Sequence, residues 1–148
     1  MIGLACALPL LAGAVLLGGG TELSGRTAAR TGIVASLVTL ALVITAWTSD
    51  AVVDVLWLPA LGLRLHLGLD GISGPLAVLA AVVTAAACLT ALADRPRGGS
   101  AATFVGCLLL TLGGAQATFA ARDAVLFVIA FEVVLVPMWV LITRFGDD

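Results

Sequence analysis

AVLFVIAFEVVLVPMWVLI, the stretch from Ala124 to Ile142, carries a single charged side chain, that of Glu132. A helix that crosses the hydrocarbon core of a bilayer needs about 20 mostly apolar residues. Lipid offers no hydrogen-bond partners, so a spanning segment must satisfy its own peptide groups, as a helix does. The stretch therefore predicts a transmembrane helix with an acid near its middle.

The remainder of the chain repeats this pattern. Of its 148 residues, 61% are hydrophobic and 11% are charged, and the mean hydropathy is +1.21. These values lie outside the range of soluble domains, and barrel strands would be about half as long as these apolar runs. We predict an all-α membrane protein, a single membrane domain over residues 1–148 with five transmembrane helices at about 1–20, 31–49, 72–93, 99–120 and 124–143. The first run has no basic residue ahead of its apolar core, so we interpret it as a retained span and not a signal peptide.

The section between the second and third predicted spans has a different period. From Leu61 to Leu69 every second residue is leucine, which is typical of a half-buried strand. A second strand candidate, Ala51 to Leu58, is separated from it by Pro59-Ala60, so we predict a β-hairpin-like external loop. Arg64 and His66 share its polar face, where solvation or a lipid headgroup contact is favoured over a functional imidazole.

Arginine placement predicts the orientation in the membrane. All seven basic residues are arginines, and five lie on one side of the predicted spans against two on the other. Basic residues are retained on the cytoplasmic side, so we expect the N-terminus outside and the C-terminus in the cytoplasm. The five are Arg26, Arg30, Arg95, Arg97 and Arg144; the two are Arg64 and Arg122. The chain lacks the basic stripe of a nucleic-acid-binding protein.

The sequence contains no motif for a cofactor or a metal. Its three cysteines, Cys6, Cys88 and Cys107, lie singly inside apolar runs, where packing is the favoured role. Neither a dinucleotide nor a P-loop fingerprint occurs. We expect no cofactor-binding residue, no metal ligand and no redox centre in this chain.

Two aspartates precede predicted helices. Asp70-Gly71-Ile72-Ser73 opens the third span, and Asp123 lies just before the fifth. Carboxylate and hydroxyl oxygens cap the free amide groups of a helix start, and the helix dipole favours negative charge there. We assign Asp70, Gly71, Ser73 and Asp123 structural roles.

A cap cannot explain Glu132. It lies nine residues after Asp123 and twelve before Arg144, close to mid-membrane, where a charged side chain costs about 3 kcal/mol to insert. Such a group, poised to change charge as a cation approaches or leaves, suits a proton relay. The alternative is a protonated Glu132 that only joins helices through hydrogen bonds.

The surroundings of Glu132 on its own helix are apolar, so a partner must come from another helix. Pro137 lacks the amide donor for the carbonyl of Val133, and we expect a bend there. Uncharged polar side chains at comparable depth could hydrate the acid. They are Thr39, Thr84, Thr111 and Gln116.

Two stretches carry a resemblance to a known family. LHLGLDGISGPL, Leu65 to Leu76, and ARDAVLFVIAFEVVLVPMWVLITRFG, Ala121 to Gly146, resemble the antiporter-like proton-pumping subunit M, or chain 4, of respiratory complex I, the NADH-quinone oxidoreductase. The resemblance is strong over Leu61–Gly146 and weak over the first fifty residues. It implies that Glu132 is the mid-membrane glutamate that starts the proton pathway and pairs with a lysine on a later helix.

The resemblance also implies partners and a location. They are other membrane-arm subunits of complex I, the lipid bilayer of a bacterial plasma membrane, and protons, with NADH and quinone bound by other subunits. The family's chains continue through further spans that carry the essential lysines, whereas this chain has no lysine. We therefore expect the first five spans of such a subunit, as a fragment, a split gene product or a truncated frame, and an enzyme role only within the complex. The alternatives are a subunit of an Mrp-type cation/proton antiporter or membrane-bound hydrogenase, and a structural scaffold or non-functional fragment.

Overall fold

Five helices and one hairpin make up the described part of the chain. The computed structural model describes residues 1–19, 24–58, 63–94 and 96–146, with only the backbone of Leu58 and Leu63. The helices are α1 (Ile2–Gly18), α2 (Gly25–Thr48), α3 (Ser73–Ala93), α4 (Ala101–Ala120) and α5 (Ala124–Phe145). The strands are β1 (Val53–Leu58) and β2 (Leu63–Leu67), which pair antiparallel. The predicted all-α membrane architecture is confirmed.

The helix lengths differ from the predicted spans at two places. Four helices, α2 to α5, are long and apolar enough to cross a membrane. Helix α1 has 17 residues, or about 25 Å, against a hydrocarbon core of about 30 Å. Helix α2 begins at Gly25 and not at 31, because the long arginine side chains of its first turns can reach water from inside a helix.

Helix α4 is the centre of the bundle and packs against the other four helices. Two consecutive glycines of α4 each lie against a different neighbouring helix. A Cβ on Gly113 would lie 2.5 Å from Leu10 of α1, and one on Gly114 would lie 2.7 Å from Val134 of α5. Because neither glycine has a side chain, α1 and α5 both approach the α4 backbone closely.

The hairpin confirms the strand prediction. Val53 pairs with Leu67 and Asp54 with His66, while the predicted turn at Pro59-Ala60 and the first residues from Leu61 lie outside the described part of the chain. Arg64 donates to Asp54 from Nε at 2.7 Å and from Nη2 at 2.9 Å. The Arg64 guanidinium holds the pKa of Asp54 below its usual value of 3.8.

Backbone hydrogen bonds fasten β2 to the turn between α4 and α5. The amide of Gly68 donates to the Ala120 carbonyl at 2.8 Å, and the amide of Arg122 donates to the His66 carbonyl at 2.9 Å. A Cβ on Gly68 would lie 2.6 Å from Nε of Arg122, so glycine permits this approach. The hairpin thereby joins the α2–α3 connection to the start of α5.

The two ends of the bundle differ in charge. The start of α2, the end of α3, the start of α4 and the end of α5 lie together, as the contacts of Gly25 with Ala101 and of Gly99 with Phe145 show. We call this the arginine-rich end. Its described arginines are Arg26, Arg30, Arg97 and Arg144. Arg64 and Arg122 lie at the opposite, hairpin end.

Candidate functional site

Helix α5 starts at a side-chain cap. Asp123 Oδ1 accepts hydrogen bonds from the amides of Val125 at 2.9 Å and Leu126 at 3.2 Å. These amides have no partner inside the helix. The cap and the adjacent bonds to β2 fix the first turn of α5, and therefore the height at which every later residue of the helix lies.

Glu132 is the ninth residue of α5. It lies about 12 Å along the helix axis from Ala124 and about 20 Å from Phe145. With an apolar helix of this length spanning the bilayer, both distances place the carboxyl group within the hydrocarbon core, nearer the hairpin end.

The side of α5 that packs on α4 is built from small residues. Ala130 and Pro137 are the buried residues of α5, and Val134 lies against Gly114. Pro137 lies inside a helix that runs unbroken from Ala124 to Phe145. Its ring is buried on the packed face, and it has no amide proton to donate to the carbonyl of Val133.

Glu132 lies on the other side of the helix and is exposed. It is two residues from both Ala130 and Val134, so about 200° of helical rotation separates it from each of them. Its helical neighbours are apolar and also exposed: Val128 55%, Ile129 45%, Leu135 43% and Val136 68%. The acid therefore lies in the middle of a large apolar surface, with no hydrogen bond among the described residues.

Three of the four polar side chains named as able to hydrate Glu132 are engaged elsewhere, and none of the four makes a hydrogen bond with it, so that expectation is wrong. The Thr84 hydroxyl donates to the Ala80 carbonyl and the Thr111 hydroxyl to the Cys107 carbonyl, at 2.8 and 2.9 Å. Gln116, fully buried, donates from Nε2 to the Ala77 carbonyl at 2.8 Å. Thr39 is also fully buried, on α2.

Gln116 makes a hydrogen bond between two helices that the sequence analysis did not predict. It ties α4 to α3, and its Oε1 has no partner among the described residues. The signal in the sequence was a carboxamide inside an apolar run, which must find a partner from a neighbouring helix.

The start of α3 contains a reciprocal pair of side-chain bonds. Asp70 Oδ1 accepts from the amides of Ile72 at 2.9 Å and Ser73 at 2.7 Å, while Ser73 Oγ accepts from the amide of Asp70 at 2.9 Å. These hydrogen bonds from the amides of Ser73 and Ile72 stabilise the ionised carboxylate, so they hold the pKa of Asp70 below its usual value of 3.8. Gly71 forms the turn between them and is open to solvent.

The described residues offer little else for chemistry. No group of three or more His, Cys, Asp or Glu side chains within them could hold a metal ion. The three cysteines are buried and unpaired by disulfides. Glu132 is thus the ionisable side chain at membrane depth on which a function can rest.

Curated proteins similar to this chain share one name. The chain is 39% identical over 92 residues to NAD(P)H-quinone oxidoreductase chain 4 1 of Picosynechococcus sp., covering 61% of this chain and 16% of that protein. It is 41% identical over 87 residues to NAD(P)H-quinone oxidoreductase chain 4 of Synechococcus sp., covering 57% and 15%. The chain therefore spans about a sixth of the length of the curated relatives it matches. The predicted resemblance is confirmed over about 60% of the chain.

A solved structure has a similar fold. A chain in the structure of the membrane-bound sulfane sulfur reductase (MBS), an archaeal respiratory membrane complex, superposes with a TM-score of 0.75 at 24% identity. The match covers 95% of this chain and 22% of that one. No protein-family model matches the chain. The fold of this chain is therefore that of a multi-pass membrane protein.

Proposed function

We propose that this chain forms the first helices of a proton-translocating membrane subunit of an NADH-quinone oxidoreductase, and that Glu132 carries the proton. The observation that supports this most is a lone carboxyl group at mid-membrane height on an exposed apolar helix face. The similarity to NAD(P)H-quinone oxidoreductase chain 4 proteins supports the same assignment.

The exposed position of Glu132 bears on the mechanism. A carboxylate facing lipid alone would cost about 3 kcal/mol, so a further helix must cover this face and supply a partner. The described arginines lie near the two ends of the bundle, so the cation has to come from outside this part of the protein. In our proposal that cation is a lysine on a later helix. When the cation is near, Glu132 is ionised, and when it withdraws, Glu132 takes up a proton.

The proposal has three further parts, which concern the driving reaction, the structural residues and the orientation in the membrane. Quinone reduction by NADH takes place in other subunits and drives the movement of the cation, so no cofactor is needed in this chain. Asp70, Gly71, Ser73 and Asp123 set the starts of α3 and α5, and Pro137 shapes the packed face of α5. The arginine-rich end faces the cytoplasm of a bacterial plasma membrane, which leaves the hairpin and the N-terminus outside.

Substitution of Glu132 in the assembled complex tests the proposal. Glu132→Gln keeps the size and removes the proton, so proton pumping should fall at least about tenfold while the complex still assembles. Asp94→Asn is the matched control, because this exposed carboxylate lies at the arginine-rich end. Pumping and quinone reduction are measured separately in membrane vesicles. Unchanged pumping in Glu132→Gln would refute the proposal.

A structural scaffold is the second candidate function. The wide apolar face of α5 and the hairpin would suit a protein that only anchors partners. In that case, Glu132→Leu would leave pumping intact and strengthen assembly, since it removes a polar group from a buried contact. Under the proton-carrier proposal, the same substitution abolishes pumping.

The class of complex is a separate question. A subunit of an Mrp-type cation/proton antiporter or a membrane-bound hydrogenase would use the same carboxyl group with a different driving reaction. Purification of the chain with its partners and identification of the electron donor that energises transport distinguishes these cases. Transport driven by NADH and quinone supports our proposal.

A further inference from the structure

A groove runs along the outside of the bundle between α1 and α2. Its volume is about 490 Å³, and its lining includes Leu8 from α1 and a stripe of α2 side chains. The stripe consists of Thr27, Arg30, Thr31, Val34 and Val38. It is separate from α5 and from Glu132.

The stripe changes character along its length. Each of its residues lies three or four positions from another, so they share one face of α2, and they extend over about 16 Å. The arginine and the two threonines lie toward the arginine-rich end, in the first turns of α2. The two valines lie toward the middle of the membrane and are 60% and 40% exposed.

The polar part of the groove is equipped to bind an anion. Arg30 is exposed and forms no ion pair with any carboxylate in the described part of the chain. Thr45, Thr84 and Thr111 donate to carbonyls of their own helices. Thr31 makes no such bond among the described residues, so its hydroxyl is available. A guanidinium and a hydroxyl group that line the same groove can both donate hydrogen bonds to the oxygens of a phosphate group.

The apolar part of the groove continues its polar part toward the membrane centre. Its lining there is aliphatic: Leu8, Val34, Ala35 and Val38. An acyl chain suits this lining, because it is apolar and belongs to the same molecule as the phosphate group that Arg30 attracts.

We propose that this groove binds one anionic phospholipid. Its phosphate lies against Arg30, Thr27 and Thr31, at the height of the headgroups. One acyl chain follows Val34 and Val38 toward the membrane centre, against Leu8. The site goes beyond the proposed proton transport and does not depend on it.

Lipid retention by the protein purified with its partners tests the site. The protein is exchanged into nanodiscs of phosphatidylcholine with a minor fraction of phosphatidylglycerol, then stripped in detergent, and the bound phospholipid is identified by mass spectrometry. The wild type should keep phosphatidylglycerol in preference to phosphatidylcholine. Arg30→Gln should reduce that preference about tenfold, the scale of one charge-assisted contact.

Arg26→Gln is the matched control. Arg26 lies on the same helix and at the same end, but it lines a different groove, against the last residues of α3. This variant should change retention less than twofold. An equal loss in both variants would mean general attraction of anionic lipid to the arginine-rich end, and would overturn the proposal.

Two further measurements distinguish other occupants. Val34→Trp fills the apolar part without changing charge and should also lower retention. Displacement of the lipid by inorganic phosphate at millimolar concentration, or cross-linking of Val34→Cys to another protein chain, would overturn the proposal. If a variant does not fold, electron spin resonance of the wild type with chain-labelled lipids decides: the immobile fraction should be larger for phosphatidylglycerol than for phosphatidylcholine, and equal fractions would overturn the proposal.

Discussion

The contact between α4 and α5 gives the sharpest prediction of stability. A Cβ on Gly114 would lie 2.7 Å from Cγ2 of Val134, 3.2 Å from its amide nitrogen and 3.4 Å from the Ala130 carbonyl oxygen. Two of these three atoms belong to the backbone of α5, so the helix itself must move. Gly114→Val adds a branched side chain that has few alternative rotamers.

The magnitude follows from two opposing effects. Overpacking of a tight contact costs about 1–3 kcal/mol, and the rigid branched side chain places this substitution in the upper half of that range. Valine has a higher helix propensity than glycine, which returns about 0.4 kcal/mol. The net loss of stability should be about 2 kcal/mol. Since α5 packs on the bundle mainly through α4, the loss should appear as detachment of α5.

Ala115→Val is the matched control, one residue along. Ala115 lines an open groove between α3 and α4 with a volume of about 340 Å³, so a larger side chain has room. We expect a change of about 0.5 kcal/mol or less, from helix propensity alone. Thermal unfolding of the purified protein and the accessibility of a cysteine placed on the packed face of α5 are measured for both variants. If Gly114→Val unfolds no earlier than Ala115→Val, the inferred close approach of α5 to α4 is wrong.

Two further predictions concern the helix starts. Asp123→Ala should lower stability by about 1 kcal/mol through loss of two capping bonds, and Asp123→Asn should restore most of it in the same thermal unfolding assay; equal losses would contradict the cap. Hydrogen bonds from two amides lower the pKa of Asp70 in the folded protein. The contribution of this carboxylate to stability is therefore fully present above its usual pKa of 3.8, and it is lost as the pH falls through the lower pKa of the folded protein. Asp70→Asn keeps an acceptor oxygen without a titrating proton, so its unfolding midpoint should depend less on pH below 3.8 than that of the wild type; parallel pH profiles would refute this.

The sequence predicted the helices and the position of Glu132 along α5 because both follow from hydrophobic length. A segment of about 20 apolar residues has one stable form in lipid, and counting along it gives the height of each residue. The hairpin was predictable for a similar reason, since alternation of leucine with polar residues and glycine is typical of a strand. The ends of the helices were predicted less accurately. The second span was predicted to begin at residue 31, after the arginines, whereas α2 begins at Gly25, because arginines can lie inside a helix near the headgroups.

The direction in which Glu132 faces could not be predicted. Apart from the acid, α5 is apolar on all sides, so no amphipathic pattern distinguishes its packed face from its exposed face. The packed face is selected by Gly114 and Ala130, where small residues allow close approach. For the same reason, the sequence could not decide whether Thr39, Thr84, Thr111 and Gln116 face Glu132. The position of each residue along its helix followed from the sequence, but the face on which it lies did not.

The hydrogen bonds between β2 and the α4–α5 turn have a mechanical consequence. They hold the turn just before α5 by backbone hydrogen bonds. At the far end no backbone hydrogen bond among the described residues joins α5 to another element, and Phe145 packs edge-on against Phe104 at 5.1 Å between ring centres. A tilt of α5 would therefore hinge at the hairpin. A rotation of about 5° would shift Phe145 by nearly 3 Å and Glu132 by only about 1 Å. Because Glu132 lies close to the hinge, its carboxyl group would keep its alignment while the opposite end of α5 moves.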